Sequence, residues 1–311
     1  MDKYTEIQKL IHQKAELNAR LKLIPYEGTP EVKTVSNGKY LYMRKRVGSR
    51  LTSQYVDVYS DELYQLLLRN SKESREIRKA IRAVDKSLAL LGYDEDELPP
   101  RVTLNIDFAR ANMKSNIYDQ AVLEGVATTF PQTEDIIDGG IVNDMTVADV
   151  QKILNLKHAW EFILDKSVIS FPSGFDILSH IAKLVNDGFF IDGGAVRGVP
   201  VKIGGTSYIP PLPVETVIKE NLSAILNTED KAIITGIKLC LFCMKAQIFN
   251  DGNKRAAVIF ANHFLISKGA GMLIIPENKV PEFKQLLVAF YEGKDEQKII
   301  DFMIRECWRQ F

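Results

Sequence analysis

The 311-residue chain lacks several features that would narrow its function at once. It has no excess charge, since 40 Lys and Arg balance 40 Asp and Glu. That argues against a surface built wholly for nucleic acid and leaves only local patches. No apolar run reaches the ~18 residues that cross a membrane, so no membrane partner is expected. The opening MDKYTEIQKL has no apolar signal core, and the expected location is the cytoplasm. Cysteine is scarce, with three residues, and an odd number without a leader fits a reducing compartment. Cys240 and Cys243 have CxxC spacing, but they stand in the apolar, helix-spaced run GIKLCLFCMKAQ without a second ligand pair. They are read as buried packing residues. The four histidines, His12, His158, His180 and His263, fall in helical runs and read as packed or surface side chains. There is no internal repeat and no low-complexity tract. What is present is 46% hydrophobic residues, enough for a real core in one large domain or two ordinary ones.

Periodicity divides the chain. Residues 4–22 predict an amphipathic helix with Ile7, Leu10, Ile11, Leu17 and Leu21 near one face. Residues 31–58 change character: EVKTV and KYLYMRKRV flank Ser36-Asn37-Gly38, a hairpin signal, and RLTSQYVDV reads as a third strand. A second helix is predicted from Ser60 to about Gly92, and the stretch DEDELPP (94–100) marks a boundary. Beyond it the spacing predicts helices over 104–124, 146–165 with Thr146 as N-cap, 173–187 with Ser173 as N-cap, 213–226, 229–247, 253–268, 280–291 and 295–306. Between them, FFIDGGAVRGVPVKIGGTSYIPPLP (189–213) reads as a long loop holding a small hairpin, and loops of that length are usually functional or disordered. The expected organisation is residues 1–100 as a helix–hairpin–helix region, 101–145 as connecting helices and 146–311 as the main domain. The fold class is mainly α.

The hairpin region carries a charge message. Lys39, Arg44, Lys45, Arg46 and Arg50 stand between Ser36 and Val56 with no acid among them, and Tyr40, Tyr42 and Tyr55 interleave. Two readings stand: a basic surface that tracks a nucleic-acid backbone and stacks bases, or a solvated strand face whose charge prevents edge pairing.

The segment richest in chemistry is Gln247-Ile-Phe-Asn-Asp-Gly-Asn-Lys-Arg255. Asp251-Gly252-Asn253 is turn chemistry at a helix start, where four unsatisfied N–H groups and a positive dipole end favour an anion. Lys254 and Arg255 sit in the first turn, where cations cost helix stability. Asp251 is a hard oxygen ligand suited to Mg²⁺. The combination describes a nucleotide-phosphate site, against the alternative of an ordinary surface turn.

FNDGNKR resembles the signature of Fic-domain proteins, His-x-Phe-x-Asp/Glu-Gly-Asn-Gly/Lys-Arg. IGGTSYIPPLP resembles the flap on which that family docks a target segment, and AVLEGVATT (121–129) is similar to its inhibitory helix. The resemblance spans roughly residues 105–306 and implies a Fic-type helical core with a small β-hairpin flap. It implies transfer of AMP, or of phosphate in the Doc branch, from a Mg²⁺-bound nucleotide such as ATP to a hydroxyl of a target protein. Carried over, Asp251 holds Mg²⁺, while Gly252, Asn253, Lys254 and Arg255 bind phosphates. Phe249 pins the loop, Glu124 inhibits, and Gly204, Gly205 and Tyr208 belong to the target flap.

Three departures qualify what is implied. Gln247 stands where the family has its general-base histidine, and a carboxamide cannot take a proton near neutral pH; such a loss costs typically ~10²–10⁴ in rate. Gln120 stands where the inhibitory motif has Ser or Thr. Val258 stands where many members carry a second arginine, so Glu124 is left to pair with Arg255 or with nothing; 116–126 also reads as a plain packed helix.

Overall fold

The computed structural model describes residues 3–35, 38–47, 50–91, 93, 98–140, 142, 144–294 and 296–310. The chain divides into two compact units, Met1–Glu95 and Asp96–Phe311.

In the first unit, α1 (Lys3–Leu23) and α2 (Asp61–Leu90) bracket an antiparallel sheet of β1 (Thr29–Val35), β2 (Gly38–Val47) and β3 (Arg50–Val58), in the order β1-β2-β3. Val35 pairs with Gly38 across the first turn; Ser36 and Asn37 of the expected turn lie outside the described residues. The buried stripe of α1 is Ile11, Ala15 and Ala19, one residue per turn. The alanines let α1 approach α2 closely, whereas the larger Ile7, Leu10, Leu17 and Leu21 are only half-buried. On β2, Leu41 and Met43 point inward against Leu67 of α2, with Val56, Tyr59, Leu63 and Tyr64 around them. Ser60 caps α2, its hydroxyl accepting from the Leu63 N–H at 3.2 Å.

The second unit is helical: α3 (Pro100–Ala111), α4 (Met113–Leu123), α5 (Phe130–Asp138), α6 (Val147–Ile163), α7 (Lys166–Ile169), α8 (Phe175–Val185), α9 (Glu215–Leu226), α10 (Ala232–Ala246), α11 (Asn253–Ser267), α12 (Val280–Tyr291) and α13 (Glu296–Phe302). A π-helical turn over Met303–Cys307 and a two-residue ladder, β4 (Met272–Leu273) with β5 (Trp308–Arg309), close it. The core is built around α11, buried continuously from Arg255 to Ile266. That is why its sequence shows no one-sided period. All three cysteines are free and buried, and burial pushes the Cys240, Cys243 and Cys307 thiols up, the last to about 12.

Several expectations are corrected. The single helix over 104–124 is two helices broken at Asn112, whose Nδ2 donates to the Phe108 carbonyl at 2.9 Å and ends α3. A helix no periodicity marked, α5, begins with a capping box in which Thr129 and Gln132 satisfy each other's main chain. Ser173 does not cap α8; Gly174 holds that position, and the Ser173 hydroxyl instead lies 2.8 Å from His263 Nδ1 in the core. The final helix does run past 306, but it is α-helical only to Phe302 and takes π geometry over Met303–Cys307. Residues 189–213 contain no paired strand, so the flap is a loop and not a hairpin. Pro210, Pro211 and Pro213 have no N–H to donate to a ladder, and the segment's carbonyls are taken by Arg197.

Candidate functional site

The helix α10 ends at Gln247 in a left-handed conformation, φ 46° and ψ 59°. A non-glycine residue there is strained and needs outside support. Part of the support is its own amide: Nε2 donates to the Met244 carbonyl at 2.6 Å, satisfying one of the orphan acceptors of the helix end. The rest is Arg197. Its guanidinium donates from Nε to the Gln247 carbonyl, from Nη1 to Val199 at 2.6 Å, and from Nη2 to Pro211 at 2.7 Å and Pro210 at 3.5 Å. The Arg197 N–H donates to the Ile248 carbonyl at 3.0 Å. One buried side chain therefore ties both ends of the flap loop to the start of the motif loop.

Asn253 closes that loop from the other side. Its Oδ1 accepts from the Phe249 N–H at 2.9 Å and its Nδ2 donates to the Phe249 carbonyl at 2.8 Å. Phe249 itself is buried. Gly252 takes φ +71°, and a Cβ there would come within 2.7 Å of Asn186 Oδ1. Asn186 in turn donates to the Asp251 and Gly193 carbonyls at 2.9 and 3.0 Å. The loop is thus clamped by Arg197, Asn253 and Asn186, and α11 starts with its first N–H groups behind it.

The loop forms one wall of a cavity of about 570 Å³. Gln247, Asn250, Asp251, Gly252, Asn253 and Lys254 line it on this side; Lys202, Ile203, Gly204 and Gly205 line it from the flap; Lys284, Leu287, Val288 and Tyr291 line it from α12; and Glu124 closes one end. Three lysines face one carboxylate on the motif loop. Among the described residues the Tyr291 hydroxyl is buried there without a hydrogen-bond partner, and burial, with Cys240, Glu124 and Tyr208 nearby, raises the Tyr291 pKa. An orphaned polar atom of this kind calls for a ligand or water. For a divalent ion the cavity supplies one fitting oxygen ligand, the half-exposed Asp251 carboxylate, whose Oδ2 also receives Arg255 Nη2 at 3.0 Å. One carboxylate suffices for Mg²⁺ when phosphate oxygens complete the shell.

Other predicted residues are placed differently. Arg255 is 2% exposed and does not line the cavity. Its Nη1 donates to the Val185 carbonyl at 2.7 Å, and its Nε lies 3.6 Å from Glu124 Oε2, beyond hydrogen-bond length. Glu124 also reaches Lys254, at 3.5 Å. Val258 is buried, so Lys254 supplies the second cation at the carboxylate. Gln120 fills the Ser/Thr position with a buried bridge: Nε2 donates to the Arg255 carbonyl at 2.9 Å and Oε1 accepts from Trp160 Nε1 at 3.0 Å. Tyr208 turns away from the cavity, stacks on Tyr291 at 6.1 Å, and lines a separate apolar groove with Leu212, Val217 and Phe242. None of the four histidines lines the cavity. Sequence reasoning missed Arg197, Asn186, Lys202, Lys284 and Tyr291. Nothing local marks them, because each meets the loop from a distant part of the chain.

Residues 175–265 match the family model described as Fic/DOC family, and residues 4–65 match one described as a domain of unknown function, DUF6788. No curated protein matches the chain. Among solved structures, Fic-1 from C. elegans is similar with a TM-score of 0.55 at 15% identity, over 79% of this chain and 78% of that one. A Fic family protein from Desulfovibrio desulfuricans G20 gives 0.53 at 15% identity, over 68% and 73%. A Fic domain containing signaling protein from Bacteroides thetaiotaomicron VPI-5482 gives 0.52 at 15% identity, over 68% and 86%. The likeness to these structures is one of fold. The matched family segment runs from the start of α8 to near the end of α11 and contains the clamped loop 247–255.

Proposed function

We propose that the cavity binds the phosphates of a Mg²⁺-nucleotide such as ATP, and that transfer of its nucleotidyl or phosphoryl group to a target hydroxyl is slow because Gln247 supplies no base. The observation that carries this reading is the cavity wall itself: Gly252, Asn253 and Lys254 at the start of α11, with Lys202 and Lys284 opposite and no histidine among the lining residues. A helix N-terminus and three cations favour a polyanion. Asp251 would hold the metal, which when bound would neutralise phosphate charge. The Gln247 amide is spent on the end of α10 and offers a hydroxyl only its Oε1, itself 3.4 Å from Asn253 Nδ2. Phosphoryl-type transfers rely on positioning and charge stabilisation, so a slow reaction without a base is consistent with this reading. Glu124 competes for Lys254 and acts as a brake on anion binding.

Two measurements test it. By calorimetry with Mg²⁺-ATP, Lys254→Ala should weaken binding by about 1.5–3 kcal/mol, the worth of a charge-assisted hydrogen bond, and Glu124→Gln should tighten it. Equal affinity in wild type and Lys254→Ala overturns the phosphate assignment. With α-labelled ATP and a hydroxyl-bearing acceptor protein, Gln247→His should raise transfer by ~10²-fold. Transfer by wild type at the mutant's rate would show that Gln247 is not the limit.

A further inference from the structure

The antiparallel sheet of the first unit has two unlike faces. One packs Leu41 and Met43 against α2. The other is open and carries, by strand alternation, Tyr40, Tyr42, Arg44 and Arg46 on β2, with Lys33 of β1 opposite Tyr40 and Tyr55 of β3 opposite Tyr42. The three tyrosine rings form one group. Tyr55 lies 5.6 Å from Tyr42, edge-on, and 6.3 Å from Tyr40. The Lys33 ammonium sits 4.4 Å above the Tyr42 ring. Tyr55 is 49% exposed, more than an aromatic ring that completes a core.

The charge around the rings has one sign. Between Thr29 and Val58 there are six cations, Lys33, Lys39, Arg44, Lys45, Arg46 and Arg50, against two acids, Glu31 and Asp57. Glu31 is answered by Lys33 at 3.8 Å and Ser53 at 3.5 Å, and Asp57 accepts from the Val58 N–H at 2.7 Å. Among the described residues, no acidic side chain pairs with Arg44, Lys45, Arg46 or Arg50, and Arg44, Lys45, Arg46 and Arg50 are exposed. Elsewhere in this unit cations are paired in the ordinary way, as in Arg78 with Glu27 at 2.7 Å and Lys14 with Asp85 at 3.1 Å. The chain is neutral as a whole, so this concentration is local.

We infer that the open face of the sheet binds single-stranded nucleic acid, with Tyr40, Tyr42 and Tyr55 as a stacking platform and Lys33, Arg44 and Arg46 as phosphate contacts. Rings offer their faces only to unstacked bases, and base edges in a duplex are out of their reach. An acidic peptide would use the cations and leave the tyrosines without a role. Tyr40 to Arg46 spans roughly 20 Å along the strand, long enough for a short run of nucleotides to lie across rings first and arginines after.

The test is fluorescence anisotropy on the full chain. The probes are a labelled 12-nucleotide single strand, DNA and RNA in turn, the same sequence as a duplex, and a labelled oligoglutamate. The single strand should bind at 50 mM salt, and with about three phosphate contacts should bind ~20-fold more weakly at 200 mM. Tyr55→Ala should weaken binding ~5- to 100-fold, the range for losing one stacked base, while Tyr55→Phe keeps the ring and should stay within about two-fold of wild type on the same ground. Arg44→Ala with Arg46→Ala should flatten the salt slope by about 0.7 per lost contact, and Lys72→Ala on α2 should not. A circular-dichroism melt confirms that each variant is folded; Tyr55 is exposed, so its truncation leaves the core intact. Single-strand binding that depends on the Tyr55 ring supports the inference. No binding at 50 mM salt, equal or tighter binding of the duplex or of oligoglutamate, or a Tyr55→Ala variant equal to wild type each overturns it.

Discussion

Burying an arginine is expensive unless its charge is answered, and Arg197 is 1% exposed with only backbone carbonyls as its partners among the described residues. Five N–H donors in a fixed fork suit several carbonyls at different angles, which an ammonium cannot match. Its position is therefore a joint, and it holds Gln247 in a conformation that costs energy. We predict that Arg197→Met lowers stability by about 3 kcal/mol or more, since it leaves buried carbonyls unpaired, and Arg197→Lys should recover only part of the loss. In a unit of this size that is a fall of roughly 6–12 °C in Tm. Hydrogen exchange should rise over 199–211 and 247–250 together; a rise confined to one of the two loops would show that they are not joined through this side chain. None of this was legible beforehand. Arg197 stands in a glycine-rich stretch without a period, and its main acceptor lies 50 residues further on. Asp251, Gly252, Asn253 and Lys254 were legible, because turn chemistry and misplaced cations are local signals. Arg255 read the same way locally, yet tertiary packing turns it inward to the Val185 carbonyl.

Between elements, the site depends on how closely α10 and α11 run together, because the loop that joins them is the cavity wall. Gly236 of α10 sets that distance. A Cβ there would come within 2.8 Å of the Leu265 side chain on α11, and both are buried. Alanine would normally favour a helix interior over glycine by ~0.5–1 kcal/mol. Overpacking a core typically costs ~1–3 kcal/mol, and we predict that it wins: Gly236→Ala should lower the unfolding midpoint. A stabilised single variant in a urea titration would count against close packing here. The two helices were predictable within a few residues from their apolar content and the turn between them. The break at Asn112 was not, since α3 and α4 continue one apolar pattern and only a side-chain bond to Phe108 divides them. The absence of a hairpin in the flap is likewise tertiary: Ser207 and Thr206 bond to Glu292 of the segment after α12, and Arg197 takes carbonyls that a partner strand would have used.

Across the whole molecule, each unit has its own buried residues, and every residue lining the cavity lies between Glu124 and Tyr291. The second unit buries Trp160, Phe162, Phe249, Phe260, Phe283 and Phe302 almost completely. An aromatic core of that size in roughly two hundred residues is ample for independent folding. The first unit has far less, a small cluster of Leu41, Met43 and Leu67 beside the α1–α2 stripe, and chains under a hundred residues are more marginal. We predict that a fragment of residues 98–311 folds cooperatively and binds Mg²⁺-ATP with the affinity of the full chain, within the ~0.3–0.5 kcal/mol expected for independent regions. The same fragment should lose single-strand binding altogether, since Tyr42, Tyr55, Arg44 and Arg46 leave with the first unit. A fragment that folds but binds nucleotide much more weakly would mean that the first unit contributes to the site, and the two activities would then have to be explained as one.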